Sequence, residues 1–378
     1  MENDLTKILI EKDELVLKHA YELPPEKLFA YDGTEDPEAW QARCRKKLLE
    51  LVACVFAQES KNACVFAQES KNACVFAQES KNTSVLNFES RSFKTLRETE
   101  FDFGTAHSLV MHADKNLTLP GYLLVPNEIK QNAPVLAVQG HTHDVKGILG
   151  IRGDYHHGFG MELCRAGFVT LVPETRGFGT LKNLAEHDGR RLTYWSDPVT
   201  FSIVTDAFQK GRTLIGDTVA DLYAWAGYLC GFTKQKNYSL AGISYGGDMC
   251  LMLAALDEHV CKTFASGTLG SMATIFDVCC NAPAHCVPNI LQYMDRQEIA
   301  SCIAPRPLAV HYGELDVPSK KNYSASFNET ALPAFEAVKN FYAKMGAEKN
   351  AKLIVSPGMG HEMDINELVS FMGEDIDN

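Results

Sequence analysis

The chain has 378 residues, of which 46% are hydrophobic and 22% charged. That supplies a substantial core and excludes disordered, collagen-like and disulfide-knot classes for the chain as a whole. At about 150 residues per domain the length suggests two or three domains, although α/β folds often spend far more on one. The 48 acidic and 36 basic residues leave a net charge of −12, which argues against nucleic acid or anionic lipid as a partner, since both need clustered Lys and Arg.

No apolar run reaches the roughly 18 to 20 residues of a bilayer crossing, and the first residues, MENDLTKILIEKDEL, lack the apolar core of a secretion signal. The expectation is a cytoplasmic protein with no membrane contact. Its 12 cysteines show no regular spacing, so buried thiols are expected in place of a disulfide framework.

Residues 1 to about 52 read as helical. Pro37 suits a first turn behind Asp36, and Trp40, Cys44, Leu48 and Val52 recur every four residues, a stripe that needs a packing partner. Three identical copies of ACVFAQESKN follow at 53–62, 63–72 and 73–82, a period shorter than the roughly 20 to 50 residues of solenoid repeats. Ten residues turn a helix by about 1000°, roughly 80° short of three turns, so successive copies cannot all bury the same face. They read as a tandem duplication in a connecting segment.

From residue 83 onward strands alternate with helices and loops, the pattern of a mostly parallel sheet covered on both faces. Strands are predicted near 99–103, 107–112, 119–125, 133–138, 168–173, 237–241, 261–266, 307–312 and 351–355, several of them continuous apolar runs such as PVLAVQ and FVTLVP. Helices are predicted at 157–166, 214–230, 245–256 and 333–346.

The strongest chemical signal is YSLAGISYGGDM at 238–249: a short strand, then Gly242, Ile243, Ser244, Tyr245 and Gly246, then an apolar helical stretch. A serine hydroxyl is a poor nucleophile, and a strained strand-to-helix turn presents it openly to a base, while Gly242 and Gly246 let strand and helix approach. The required acid and base follow in order. Asp316 stands beyond the apolar strand in PLAVHYGELD, and His361 lies in a Gly-rich loop after AKLIVS; a helix between them crosses over the sheet and brings the two strand ends together. In such a triad His361 takes the Ser244 proton and Asp316 fixes the imidazole.

An oxyanion needs backbone donors, of which the N–H of Tyr245 is one and that of His141 or Thr142, after PVLAVQ, the other. His141, His143 and Asp144 lack a closed zinc ligand set, as do Cys279, Cys280, His285 and Cys286, so no metal is expected. His311, within an apolar strand, reads as a hydrogen-bonded core residue.

These residues resemble the acetyl xylan esterase and cephalosporin C deacetylase-like hydrolases, near the dienelactone hydrolases, in the α/β-hydrolase superfamily. The likeness spans roughly 115–370 through PGYLLVP (120–126), ETRGFG (174–179), GRTLIGD (211–217), GISYGG (242–247), IAPRPLAVHYGELD (303–316) and GHE (360–362). It implies an α/β-hydrolase fold, the triad Ser244, Asp316 and His361, and Arg176 as a structural support beneath the site. Gln139, where relatives often carry histidine, and Glu174, where they often carry aspartate, depart from the pattern.

The chain thus divides into a helical extension, 1–82, and a catalytic α/β-hydrolase domain, 83–378. The expected activity is that of a serine carboxylesterase on small acyl, acetyl-type esters of sugars or related alcohols, with no cofactor and a small-molecule ester as its partner; a homo-oligomer stays open. Tyr155, Phe159, Arg190, Arg191, Tyr194 and Trp195 are candidates to meet the substrate. Two rival readings are a prolyl-oligopeptidase-like peptidase, whose propeller the first 115 or so residues are too few to build, and a non-catalytic binding protein, which would not need a full triad.

Overall fold

A computed structural model describes residues 27–52, 91–114, 117–131, 133–142, 144–180, 198–273, 282–316 and 327–374. The decapeptide copies, the boundary at 82/83, and Arg190, Arg191, Tyr194 and Trp195 lie outside the described residues. Nine strands form one sheet: β1 (Ser92–Phe101), β2 (Gly104–Asp114), β3 (Leu117–Pro126), β4 (Val135–Val138), β5 (Thr170–Pro173), β6 (Tyr238–Ile243), β7 (Val260–Ser266), β8 (Leu308–Gly313) and β9 (Ala351–Ser356). Their order is β1-β2-β3-β5-β4-β6-β7-β8-β9. The first three strands are antiparallel, β3 meets β5 antiparallel, and β5 through β9 run parallel.

The parallel strands are buried along their whole length at β4, β5, β6 and β8. Helices therefore cover both faces, as their continuous apolar runs require. In chain order the helices are α1 (Pro37–Val52), α2 (Phe159–Arg165), α3 (Pro198–Gln209), α4 (Leu214–Thr233), α5 (Tyr245–Leu256), α6 (Ala282–His285), α7 (Ile290–Tyr293), α8 (Arg296–Ser301), α9 (Phe327–Lys344) and α10 (Ile365–Gly373). None of the described helices is long and apolar enough to cross a membrane.

Each predicted strand overlaps an observed one. The helical reading of the first 52 residues is narrower in the structure, because residues 27–36 are extended and turned, with Leu28 and Phe29 donating their N–H groups to the carbonyls of Gln292 and Tyr293. The helix predicted from 333 begins at Phe327 and carries Pro333 inside it. Pro333 suits a first turn by its fixed φ, but the helix continues N-terminal to it.

α1 is bound to the body by its stripe and by polar caps. Trp40, Cys44, Leu48 and Val52 are buried in the same cluster as Ile303, Phe341 and Trp225. On the same face Gln41 Nε2 donates to the carbonyls of Ser301 and Ala304, both at 2.9 Å, closing the end of α8. Trp40 donates from its indole to Phe29 O at 3.0 Å and packs against Tyr31 and Phe341. At the far end of the sheet the buried Lys262 ammonium donates to the carbonyls of Phe371 and Met372, capping the last turn of α10, where a cation also meets the negative end of the helix dipole.

Trp40→Ala leaves a large void between α1 and α9 and an unpaired Phe29 carbonyl. It is expected to cost about 3–5 kcal/mol of stability by urea denaturation, and a loss under 1 kcal/mol would show that α1 contributes little to the fold.

Candidate active site

The registers across β4, β6, β7, β8 and β9 place Val138 beside Gly242, Ile243 beside Ser266, Ser266 beside His311, and His311 beside Ile354. The loops leaving these strands emerge at one rim, where parallel α/β sheets gather their functional side chains.

Ser244 sits between β6 and α5 with φ 59° and ψ −125°, a conformation that costs a non-glycine residue of order 1–3 kcal/mol. Two glycines hold it there. A Cβ at Gly242 would strike the Gly246 carbonyl, and one at Gly246 would strike the carbonyls of Val138 and Gln139, so only bare backbone allows the helix to start this close to the sheet. The Ser244 N–H donates to Ser266 O at 2.8 Å. At the N-cap of α5 its hydroxyl makes no capping hydrogen bond, although serine normally caps there, which leaves the oxygen for other chemistry. The first N–H groups of the helix, beginning with Tyr245, have no intrahelical acceptor and point to the same rim.

His361 Nδ1 lies 2.9 Å from Asp316 Oδ2, so Nδ1 carries a proton donated to the carboxylate, and in the neutral ring the lone pair is then on Nε2. Asp316 is 4% exposed. The loops bearing the two residues are joined by Leu315 N–H to Met359 O at 2.7 Å, Glu314 N–H to Ser356 O at 2.9 Å, and contact between the Gly313 and Gly360 backbones. Gly267, the residue after Ser266, has φ +59°, and a Cβ there would lie 2.6 Å from His361 Cε1 and 3.6 Å from Asp316 Oδ2. Ser244 and His361 therefore flank the same Ser266–Gly267 stretch.

The Gly140–Thr142 loop closes the other side. A Cβ on Gly140 would strike the Tyr155 hydroxyl and come within 3.1 Å of Ser244 Cβ. Gly140 N–H donates to His156 Nε2 at 3.0 Å, Tyr155 OH donates to His141 O at 2.8 Å, and Gly179 N–H donates to Thr142 O at 3.2 Å. These contacts hold the loop through the Gly140 N–H and through the carbonyls of His141 and Thr142. The Tyr155 ring lies 5.6 Å from that of His361; burial pushes its phenol far above the usual range, so it stays a hydrogen-bond donor.

Behind the rim lie two buried charge clusters. Arg176 grips Asp221 through Nε and through Nη2 at 2.9 Å, and meets Asp217 at 3.4 Å, fixing the 174–180 loop on α4. That loop sets Phe178 against the rings of His141 at 4.6 Å and Tyr245 at 4.8 Å. In the same loop Glu174, its carboxyl raised by burial, accepts from Thr180 N–H at 2.7 Å. In the first turn of α5, burial acts to raise Asp248, but Arg296 at 2.6 and 2.7 Å and His285 at 2.9 Å hold it well below the usual carboxylate range. His285 thus serves this cluster. Phe159, a sequence candidate for substrate contact, is fully buried in the same cluster as Leu163 and Ala137; its position on the inner face of α2 makes it core. The contact of His156 with the Gly140–Thr142 loop has no signature in the sequence, since only the fold joins 140 to 156.

His311 is fully buried, with Nδ1 2.7 Å from Ser266 Oγ and Nε2 3.1 Å from Ser356 Oγ, a hydrogen-bonded core residue as expected. Burial pushes it down to about 4. In the unfolded chain it titrates near 6.5. The stability due to a neutral His311 is therefore present above about pH 6.5 and lost as pH falls towards 4, amounting to about 3 kcal/mol. Urea unfolding from pH 7.5 to 4 should show that loss, and His311→Asn should remove it from the slope; an identical slope in the variant would assign the loss elsewhere.

The sequence matches no protein-family model and no curated protein. Solved structures do share its architecture. A protein of Bacteroides fragilis assigned as an acetyl xylan esterase superposes with a TM-score of 0.64 at 12% identity, over 87% of this chain and 78% of the other. A glucuronoyl esterase from Solibacter usitatus gives 0.56 at 12% identity, over 93% and 97%. Acetyl xylan esterase 1 from a Thermoanaerobacterium species gives 0.51 at 16%, over 75% and 87%. The chain therefore has the α/β-hydrolase fold in the form that these esterase structures share.

Proposed function

We propose that the protein is a serine carboxylesterase acting on small acyl esters of sugars or related alcohols, through an acyl-enzyme on Ser244. The observation that carries this reading is the convergence, at one rim, of an uncapped serine on a strained elbow with an imidazole whose tautomer is set by a buried carboxylate. The fold shared with acetyl xylan and glucuronoyl esterases supports the ester class and the sugar-linked alcohol.

In this reading His361 Nε2 accepts the Ser244 proton as Oγ attacks the ester carbon, and Asp316 stabilises the imidazolium. The tetrahedral oxygen takes its negative charge into the N–H of Tyr245 and that of His141 or Thr142. Collapse returns the proton from His361 to the departing alcohol. A water deprotonated by the same imidazole then attacks the acyl carbon and releases the acid and free Ser244. Arg176, with Asp217 and Asp221, supports the loop that backs His141 and Tyr245. Thiols at Cys44, Cys164, Cys250, Cys261 and Cys302 suit a reducing, cytoplasmic setting.

Purified protein should hydrolyse p-nitrophenyl acetate and acetylated sugars, and an active-site phosphonate should label Ser244. Ser244→Ala should lower turnover by at least about 10,000-fold and abolish labelling; unchanged turnover rejects the reading, and cleavage of peptide amides but not esters favours a peptidase. Gly267→Ala pushes a methyl group into the His361 ring, so kcat should fall about 100-fold. Wild-type kcat in that variant would show that the ring does not act from this position.

A further inference from the structure

The segment Asp154-Tyr155-His156-His157 leads into α2 and grips both loops of the site. Asp154 Oδ1 receives the backbone N–H of His156 and lies 2.9 Å from its Nδ1. On the far edge of the same buried ring, Nε2 faces the Gly140 nitrogen at 3.0 Å. That nitrogen is a backbone N–H and can only donate, so Nε2 must hold a lone pair and Nδ1 the proton. The ring is neutral, in one tautomer, with a carboxylate on one side and a backbone amide on the other.

The support is built in. A Cβ at Gly147 would collide with the Asp154 carboxylate, so the seat exists because that position is glycine. Burial acts to raise Asp154, but hydrogen bonds from the His156 side chain and backbone bring it below the usual carboxylate range, and Arg152 lies 3.8 Å away. It stays an anion able to demand the Nδ1 proton.

We propose that His156, its tautomer fixed by Asp154, is a positioning residue that orients the Gly140–Thr142 loop so that its N–H groups face the oxyanion. The inference rests on the esterase reading of the same site. Gly140 is the most conformationally permissive residue of the loop, and its N–H is anchored by the imidazole alone among the contacts described above. The next two peptides are pinned through their carbonyls, by Tyr155 OH and by Gly179 N–H. Three successive anchors leave the intervening peptide planes little freedom, and preorganised donors of this kind need no reorientation as charge develops. The same segment holds the base loop: Met363 N–H donates to Tyr155 O at 2.9 Å, and His157 Nε2 lies 2.6 Å from Glu362 Oε2.

The test compares His156→Leu, which removes the acceptor, with His156→Gln, which offers a carbonyl oxygen of similar reach. With p-nitrophenyl acetate, His156→Leu should lower kcat about 100-fold with KM within about threefold of wild type. Phosphonate labelling of Ser244, which also places an oxygen among the same donors, should slow in parallel. His156→Gln should recover at least about tenfold of the loss, at a melting temperature close to that of the leucine variant. Should the leucine variant not fold, Asp154→Asn carries the test. Without the anion the proton can move to Nε2, opposite the Gly140 N–H, and kcat should fall at least about tenfold with KM and melting temperature held.

A folded His156→Leu with wild-type kcat, equal losses in Leu and Gln variants, or an unaltered kcat in Asp154→Asn overturns the proposal. Absence of ester turnover in the wild-type protein defeats the esterase reading itself, and is told apart from those outcomes by being seen before any substitution.

Discussion

Everything at the rim depends on how closely the N-terminus of α5 can approach β4 and β6. Gly246 lies against the carbonyls of Val138 and Gln139, and Gly242 against the carbonyl of Gly246; a single methyl at either site forces the helix outward. The positive φ of Ser244 is the product of that approach. A turn wide enough for ordinary dihedrals would lower the serine into the groove between strand and helix, where its hydroxyl would cap the helix. The strain of order 1–3 kcal/mol is sustained because the surrounding backbone contacts leave no alternative path.

A helix started so near the sheet carries its first turn into a dry interior, and charge is needed there to finish it. Asp248 stands in that first turn, suited to the positive end of the helix dipole, but a buried carboxylate without partners would be costly. Arg296 answers with two hydrogen bonds and adds a third to Gly270 O at 2.6 Å. α5 is thereby tied to α8 and to the stretch after β7. α8 in turn takes the Gln41 side chain of α1 at its closing carbonyls. A continuous set of contacts thus joins the N-terminal helix to the residues behind Ser244.

The sheet was legible because its strands are local statements. PVLAVQ, FVTLVP and PLAVHYG are mostly apolar, as two-sided burial demands, with one buried polar residue each in Gln139, Thr170 and His311, and each contains a strand. The elbow was legible for the same reason, since Gly242, Ser244 and Gly246 lie within one strand-turn-helix unit. Helices were less uniform. α3 (PVTFSIVTDAFQ) is rich in β-branched residues, whose restricted χ1 lowers helix propensity, and its identity comes from the fold. α10 did carry a local signal, because Asp364 accepts from the N–H groups of Asn366 and Glu367 at its start, ahead of the buried Leu368, Phe371 and Met372. Phe159 shows the limit in the other direction: an aromatic beside a predicted pocket is still core if its helix turns that face inward.

The least legible part of the site is its immediate support. Ser244, Asp316 and His361 can be found in order because each follows a strand, and strand order implies a shared rim. The contact between His156 and Gly140 has no such implication, as it depends on how the loop after β4 folds back before α2. Two glycines make that return possible: Gly147 leaves room for the Asp154 carboxylate, and Gly158, at φ +68°, turns the chain into α2. Gly158 N–H closes the loop onto Gly147 O at 3.0 Å. The seat of Asp154 and the reversal of the chain are thus one structure, and residues 154–157 are carried across both the Gly140–Thr142 loop and the loop that bears His361. A site of this design is held from behind by a loop whose own geometry is set by glycines.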